Sequence, residues 1–105
     1  MEEFVRMNLL LDFYGQLLTD RQQSVCRMYY EDNLSLAEIG SEMDVTRQAV
    51  HDMLRRASAS LCAYEDRLGL VKRFQEQQEE LRSIKGLLAA GEIANALPRL
   101  ERLIY

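Results

Sequence analysis

The sequence predicts an all-α protein, a helical bundle followed by a C-terminal helical arm. Glycine and proline, which interrupt helices, number only five and one among 105 residues. The strong helix formers Leu, Ala, Glu, Gln and Arg are abundant throughout. Apolar residues recur at steps of three and four residues, which is the period of a helix face. A chain of this length forms one small domain, which we divide into residues 1–69 and an arm at residues 70–105.

The first two helices are separated by a capping signal. We expect the first from about Glu3 to Leu18, because its apolar residues fall at helical spacing. Thr19 and Gln22 then form a predicted capping box, which opens a second helix from Asp20 to about residue 31. The predicted core residues of the first helix are Leu10, Phe13, Tyr14, Leu17 and Leu18. Those of the second are Val25, Met28 and Tyr29, and Asp32 and Asn33 are a plausible stop.

Two more start signals follow. Ser35 and Glu38 form a second predicted capping box, which opens a short helix that extends to about Met43. Thr46 is the expected N-cap of a fourth helix over about residues 47–67. Gly69 is a natural C-terminal stop, because glycine enters the left-handed region without a steric penalty.

Residues 36–54 match a helix-turn-helix, with the whole motif at about residues 35–56. The first helix of such a motif needs a small residue where the second approaches, and Gly40 supplies it. The turn needs a residue that tolerates positive φ, and Asp44 is acceptable there. Ala49 lets the second helix pack closely. The apolar wedge consists of Ile39, Met43, Val45, Val50 and Met53.

The same spacing points one stripe of the fourth helix outward. If Val50, Leu54 and Ala57 are buried, the exposed face carries arginine, glutamine and histidine, which can read base edges in a major groove. The free N–H groups at the start of this helix would favour a phosphate. The predicted DNA-binding residues are Thr46, Arg47, Gln48, His51, Arg55 and Arg56, with Asp52 on the same stripe.

The distribution of charge supports this surface, although the whole chain carries −4. Residues 45–64 contain three arginines and one aspartate, whereas residues 34–44 contain three carboxylates and no basic residue. An acidic total argues against a general nucleic-acid coat. The only net positive segment is therefore the predicted recognition helix, and a hairpin that packs on a partner protein is the alternative for the same motif.

The arm has a coiled-coil-like seam, whose apolar residues alternate at steps of three and four over a helix that ends near Gly91. The seam either folds back on the first helices or pairs with another chain, and we expect a homodimer. The first helix offers a second apolar surface that could close such a dimer, with Leu9, Leu10, Phe13 and Tyr14. A shorter helical segment follows to Tyr105, in which Pro98 must begin a new turn or a kink. The predicted dimerisation residues are Leu70, Phe74, Gln77, Leu81, Ile84 and Leu88.

Other classes of site are not indicated. Cys26 and Cys62 are widely spaced within helices, so we expect inert free thiols in a reducing cytoplasm. His51 has no nucleophile at a suitable spacing, and the run of Glu76, Glu79 and Glu80 is typical of a solvated face. We therefore expect no enzyme, no metal and no cofactor. No apolar run is long enough for a membrane helix, and the start lacks a signal-peptide pattern.

Several segments together resemble the YlxM family, small bacterial proteins encoded beside the genes of the signal recognition particle. The segments are residues 7–14, 17–19, 29–30, 32–39 and 45–50, with Asp52. The central part is also similar to region four of bacterial sigma factors, which reads a promoter element. This likeness implies that Arg47, Gln48, His51 and Arg55 face the bases and that Thr46 lies near phosphate. We do not expect a complete sigma factor from 105 residues.

The resemblance implies a DNA-binding regulatory protein that takes part in the signal recognition particle pathway or regulates it. The alternative is a non-enzymatic accessory factor whose helix-turn-helix touches the particle's RNA or protein. The expected partners are accordingly DNA, with particle RNA or protein as the alternative, and a second copy of the chain, but no membrane.

Overall fold

The computed structural model describes residues 3–104, so residues 1, 2 and 105 of the predicted domains lie outside the described part. Within it the secondary structure is entirely helical, which confirms the predicted fold class. The helices are α1 (Glu3–Tyr14), a 3-10 helix (Gly15–Leu17), α2 (Asp20–Tyr30), α3 (Leu36–Met43), α4 (Arg47–Leu68), α5 (Leu70–Ala89) and α6 (Ile93–Ile104). The chain divides into an N-terminal unit, Met1–Val71, and a C-terminal unit, Lys72–Tyr105.

The helix starts follow the predicted caps. The Thr19 hydroxyl accepts from the Gln22 backbone N–H at 3.1 Å, and the Gln22 side chain accepts from the Thr19 N–H. Ser35 and Glu38 form the same reciprocal pair at 3.1 and 3.0 Å. Such caps satisfy N–H groups that the first turn of a helix leaves unpaired, typically for about 1 kcal/mol each. Both predicted capping boxes are therefore confirmed.

Residues in the left-handed backbone region follow α2, α3 and α4. Asn33 and Asp44 have φ of 61° and 56°, and Gly69 has φ of 63° at the end of α4. Asn and Asp are the non-glycine residues that enter this region at the lowest cost. The turn predicted at Asp44 is thus confirmed, and the short side chains at these positions stop one helix before the next begins.

The N-terminal unit has a continuous core, to which α1, α2, α3 and α4 all contribute. Its members include Leu10 and Val25, as predicted, and the thiol-bearing Cys26. Two predicted core residues are wrong: Phe13 and Leu17 are 38% and 55% exposed. Leu17 lies in the 3-10 helix that starts at Gly15, where the turn geometry differs from that of α1. Phe13 lies within α1, beside the buried face that Leu10, Leu11 and Tyr14 form.

A polar cluster lies beside this core, where α4 ends and α5 starts. The Tyr14 hydroxyl donates to Glu65 Oε1 at 2.5 Å and accepts from the Leu70 N–H at 3.0 Å. The same Glu65 oxygen accepts from the Val71 N–H at 3.0 Å. Burial of the phenol, and then its hydrogen bond to Glu65, raise the pKa of Tyr14. Two free N–H groups of α5 are thereby paired with side chains of α1 and α4.

The C-terminal unit consists of α6 and the part of α5 that follows Val71. Gly91, with φ of 79°, joins the two helices, and Arg99 of α6 forms an ion pair with Glu80 and a hydrogen bond with Ser83 at 2.8 Å. Of the two alternatives predicted for Pro98, a new turn or a kink, the new turn is wrong, because α6 continues through this residue. Proline lacks an N–H, so the Ala94 carbonyl does not receive the usual helical bond.

Candidate nucleic-acid interface

The turn between α3 and α4 explains why residue 40 is a glycine. A Cβ at Gly40 would lie 2.8 Å from the Val45 carbonyl oxygen, closer than real contacts allow. The Val45 N–H also donates to the Gly40 carbonyl at 2.9 Å. The small residue is needed as predicted, but the group that approaches it is the backbone of the turn rather than the body of α4.

The N-terminal half of α4 has a buried side and an exposed side. Val50 and Ala57 are fully buried and Leu54 is 7% exposed, whereas Met53 is half-buried. Thr46 caps the helix, its hydroxyl accepting from the Ala49 N–H at 3.0 Å. The predicted DNA-binding residues all lie on the exposed side or at its start: Thr46, Arg47, Gln48, His51, Arg55 and Arg56. We call this set the α4 row.

Asp52 modifies the middle of the α4 row. Its carboxylate accepts from Gln48 Nε2 at 3.3 Å and lies 3.9 Å from His51 Nδ1. All three side chains are solvent-accessible, so these contacts are weak and can exchange for contacts with a ligand. Asp52 therefore contacts both Gln48 and His51 at the surface without burying them.

An acidic groove lies on the other helix of the motif. It has a volume of about 420 Å³ and is lined by Leu34, Glu38, Ser41 and Glu42. Hydrogen bonds from Ser35 lower the pKa of the Glu38 carboxyl. Two carboxylates in an open groove repel phosphate and favour a cationic group. The two helices of the motif thus present surfaces of opposite charge.

A second cavity adjoins the α4 row, and the sequence reasoning did not identify it. It has a volume of about 210 Å³ and lies between the end of α2, the start of α3 and the middle of α4. We call it the tyrosine pocket. The residues that line it include Tyr29, Tyr30, His51, Arg55 and Ser58. The only signal for it was the Tyr29–Tyr30 pair, which the periodicity assigned to the core.

The tyrosine pocket has an ordered aromatic wall. The rings of Tyr29 and Tyr30 meet edge to face with centroids 5.0 Å apart, and both contact the ring of Phe4. The Tyr30 hydroxyl lies 3.4 Å from Ser58 Oγ, and burial raises the pKa of this phenol. The Tyr30 carbonyl accepts from Asn8 Nδ2 at 3.0 Å. These contacts fix the end of α2 against α1 and α4.

The cysteines are both free thiols, as predicted. Cys26 is fully buried, and this burial raises its pKa to about 11, so the thiol stays protonated. Cys62 is half-buried. Among residues 3–104 no group of three or more His, Cys, Asp or Glu side chains is arranged to hold a metal ion. Nor does this part of the chain include a helix with the length and apolar character to cross a membrane.

The predicted dimerisation residues differ in exposure. Ile84 is buried within the chain, whereas Leu81 and Leu88, one heptad apart on α5, are 41% and 47% exposed. Leu70 and Phe74 are half-buried, and Gln77 is exposed. On α6 an apolar row that includes Ile93, Leu97 and Ile104 is also exposed. The seam therefore does not form one continuous surface, because part of it is used inside the chain.

Comparison with known proteins identifies the family. Residues 1–96 match the model of the UPF0122 family, described as "Putative helix-turn-helix protein, YlxM / p13 like". A UPF0122 protein of Desulforamulus reducens is 47% identical over 102 residues, which cover 97% of this chain and 87% of the relative. UPF0122 proteins of Bacillus mycoides and Bacillus thuringiensis are 48% and 47% identical over 95 residues, covering 90% of this chain and 86% of each relative. The resemblance found from the sequence is thus confirmed, and the chain belongs to the UPF0122 family of YlxM/p13-like helix-turn-helix proteins.

Proposed function

We propose that the protein is a DNA-binding regulator that reads the major groove with the α4 row. The main support for this proposal is the arrangement of α4. Its apolar side, with Val50, Leu54 and Ala57, is buried, and its opposite, exposed side has cationic and amide groups. Arg47 and Gln48 lie in the first turn, from which recognition helices contact bases. Arginine pairs with guanine and glutamine with adenine through two hydrogen bonds each.

The experiment measures binding of the full-length protein to a pool of random duplexes, followed by sequencing of the bound fraction. We expect a preferred sequence and an affinity that falls steeply as salt rises, because bound phosphates release counterions. The double variant Arg47→Ala, Gln48→Ala should lose the preference, at about 1–3 kcal/mol for each bidentate contact. The matched control is Arg67→Gln, which removes an exposed charge from the last turn of α4 and should keep the sequence preference. No sequence preference in the wild type would contradict the proposal.

The protein would act as a homodimer through the C-terminal unit. With a net charge of −4, one chain offers few contacts to DNA, and two half-sites multiply affinity. The exposed apolar residues of α5 and α6 support this interface because their burial in a dimer would remove them from water. We expect Leu88→Glu with Leu97→Glu to give a monomer by light scattering. Lys85→Glu, an exposed change of charge on α5, should remain a dimer, and an unchanged double variant would contradict this interface.

A second function is supported by the acidic groove on α3. Glu38 and Glu42 are unfavourable beside DNA but suit a basic protein surface. In that case the protein is a cytoplasmic accessory factor of the signal recognition particle, as its resemblance to YlxM proteins implies. A pull-down from nuclease-treated cytosol should then recover particle protein. The double variant Glu38→Gln, Glu42→Gln should no longer recover particle protein. Glu79→Gln, which removes a carboxylate from α5, should still recover it. Recovery of no particle component would contradict this second function.

A further inference from the structure

We propose that the tyrosine pocket binds a phosphate of the DNA backbone and so anchors the recognition helix beside the groove. This inference rests on the proposed DNA binding and deepens it. It adds the end of α2 to an interface that the sequence assigned to α4 alone. The pocket brings side chains from three helices to one place, with Tyr29 and Tyr30 from α2, Leu36 from α3, and His51 and Arg55 from α4.

The chemistry of the wall suits an anion. Arg55 supplies a permanent positive charge with donors in a fork that matches phosphate oxygens. Ser58 supplies a hydroxyl, and His51 supplies a ring nitrogen. The Tyr29 hydroxyl donates to no protein acceptor within the part of the chain that the structure describes, so it is available to a ligand. Among the described residues no carboxylate lines the tyrosine pocket, in contrast to the acidic groove on α3. Outside this lining, Glu3 interacts electrostatically with Tyr30 and Asp52 lies 3.9 Å from His51 Nδ1.

The size of the pocket favours a phosphate group over a larger ligand. Small-molecule sites usually measure about 300–1,000 Å³, and this pocket encloses about 210 Å³. An open cavity of this volume accepts a phosphate that remains attached to a chain outside. A whole nucleotide bound as a separate small molecule would need a deeper enclosure.

The position along α4 also places the pocket at the edge of a major groove. Arg55 follows Arg47 by eight residues, so at 1.5 Å per residue their Cα atoms are about 12 Å apart along the helix axis. The major groove is about 8.5 Å deep and 12 Å wide. If Arg47 meets a base edge and α4 rises out of the groove along its length, Arg55 reaches the sugar–phosphate backbone. This reassigns Arg55 from the base-facing set that the family resemblance implied to a phosphate contact. Phosphate contacts from this level fix the register that base contacts need.

The test measures the affinity of full-length variants for the preferred duplex across a range of salt concentrations. Arg55→Gln should weaken binding about tenfold, as expected for a charged hydrogen bond. It should also lower the slope of log affinity against log salt by about 0.9, because one phosphate is no longer neutralised. Tyr29→Phe should weaken binding by about two- to tenfold at an unchanged slope, because it removes a hydroxyl but no charge. Its ring keeps the contacts with Phe4 and Tyr30, so the fold should be retained.

The controls separate this proposal from the proposed function. Arg67→Gln removes the same charge from the far end of α4 and should leave the slope unchanged. If the wild type binds DNA but Arg55→Gln behaves like Arg67→Gln and Tyr29→Phe like the wild type, the pocket proposal is wrong and DNA binding stands. If the wild type binds no duplex at any salt concentration, DNA binding itself is wrong. If Arg55→Gln and Tyr29→Phe weaken binding to an RNA hairpin and leave DNA affinity unchanged, the assignment to DNA is overturned.

Discussion

The two units of the chain use their apolar residues differently. In the N-terminal unit thirteen apolar side chains are buried in one cluster, which extends from Met7 to Val71. In the described part of the C-terminal unit only Ile84 and Ala96 are buried. The large apolar residues left exposed there are Leu81, Leu88, Ile93, Leu97 and Ile104. The first unit therefore has a shared buried core of many side chains, whereas the described part of the second unit has a much smaller one.

If the proposed dimer forms, a small helical protein of this kind has its main core in one unit and its association surface in the other. A helix is stable in water mainly when its apolar face is covered. The N-terminal unit buries one large apolar cluster, although Phe4, Val5, Phe13, Leu17 and Leu68 remain exposed on it. In the C-terminal unit α5 and α6 are joined by an ion pair between Arg99 and Glu80. This pair is solvent-accessible and contributes little to the free energy of unfolding. The helices of this unit would gain stability from a second copy.

The largest expected effect comes from truncating a leucine in each unit. Leu61→Ala, at a fully buried position of α4, should lower the free energy of unfolding by about 2–5 kcal/mol. Leu97→Ala, at a position that is 47% exposed, should cost less than about 1 kcal/mol in dilute monomer. Urea unfolding followed by circular dichroism measures both. Equal costs would show that the two units do not differ in this way.

The next effect concerns the two thiols of the N-terminal unit. Cys26 is fully buried and its pKa is raised to about 11, two units above the ordinary thiol value of 9.0. Since only the accessible thiolate reacts, we expect the fully buried Cys26 to be alkylated at least ~10-fold more slowly than the half-buried Cys62 at pH 8. Mass spectrometry of timed samples gives both rates, and Cys62→Ser isolates the slower one. Similar rates would mean that the core opens readily.

The smallest effect is expected at the junction of α4 and α5. Tyr14→Phe removes the hydroxyl that Glu65 and the Leu70 N–H share, and should cost about 1–3 kcal/mol because a buried donor loses its partner. Tyr64→Phe is the matched control, since its hydroxyl makes only a 3.4 Å bond to the Leu17 carbonyl. It should cost less than about 0.5 kcal/mol. A thermal melt of both variants gives the comparison, and equal shifts would contradict a special role for Tyr14.

The sequence was informative where the signal is local. The caps at Thr19, Ser35 and Thr46 each pair with a backbone N–H three residues later, so their geometry is visible in a short window. The polarity of the α4 row followed from helical spacing in the same way. Leu17 was assigned wrongly because a change to 3-10 helix is not encoded in the spacing of apolar residues. Phe13 was assigned wrongly because it lies beside the buried face of α1 and not on it.

The tyrosine pocket could not be predicted, because it depends on contacts distant in sequence. Tyr30 and Ser58 meet across 28 residues, and nothing in either segment alone indicates the other. The assignment of Tyr29 to the core was half correct, since the ring packs on Phe4 while the residue also lines a cavity. The exposure of the arm's apolar residues could not be predicted from the sequence either, because the periodicity defines a helix face but not what covers that face.

The cluster around Tyr14 also has a consequence for the order of events during synthesis. The Tyr14 hydroxyl bonds to the Glu65 carboxylate and the Leu70 N–H, which are synthesised 51 and 56 residues later. Val71, the last residue of the buried core, must also have left the ribosome before that core is complete. The local capping boxes of α2 and α3 need no such delay. Nascent chains in which residue 71 is still inside the ribosomal exit tunnel and chains in which it has emerged should therefore differ sharply in resistance to protease.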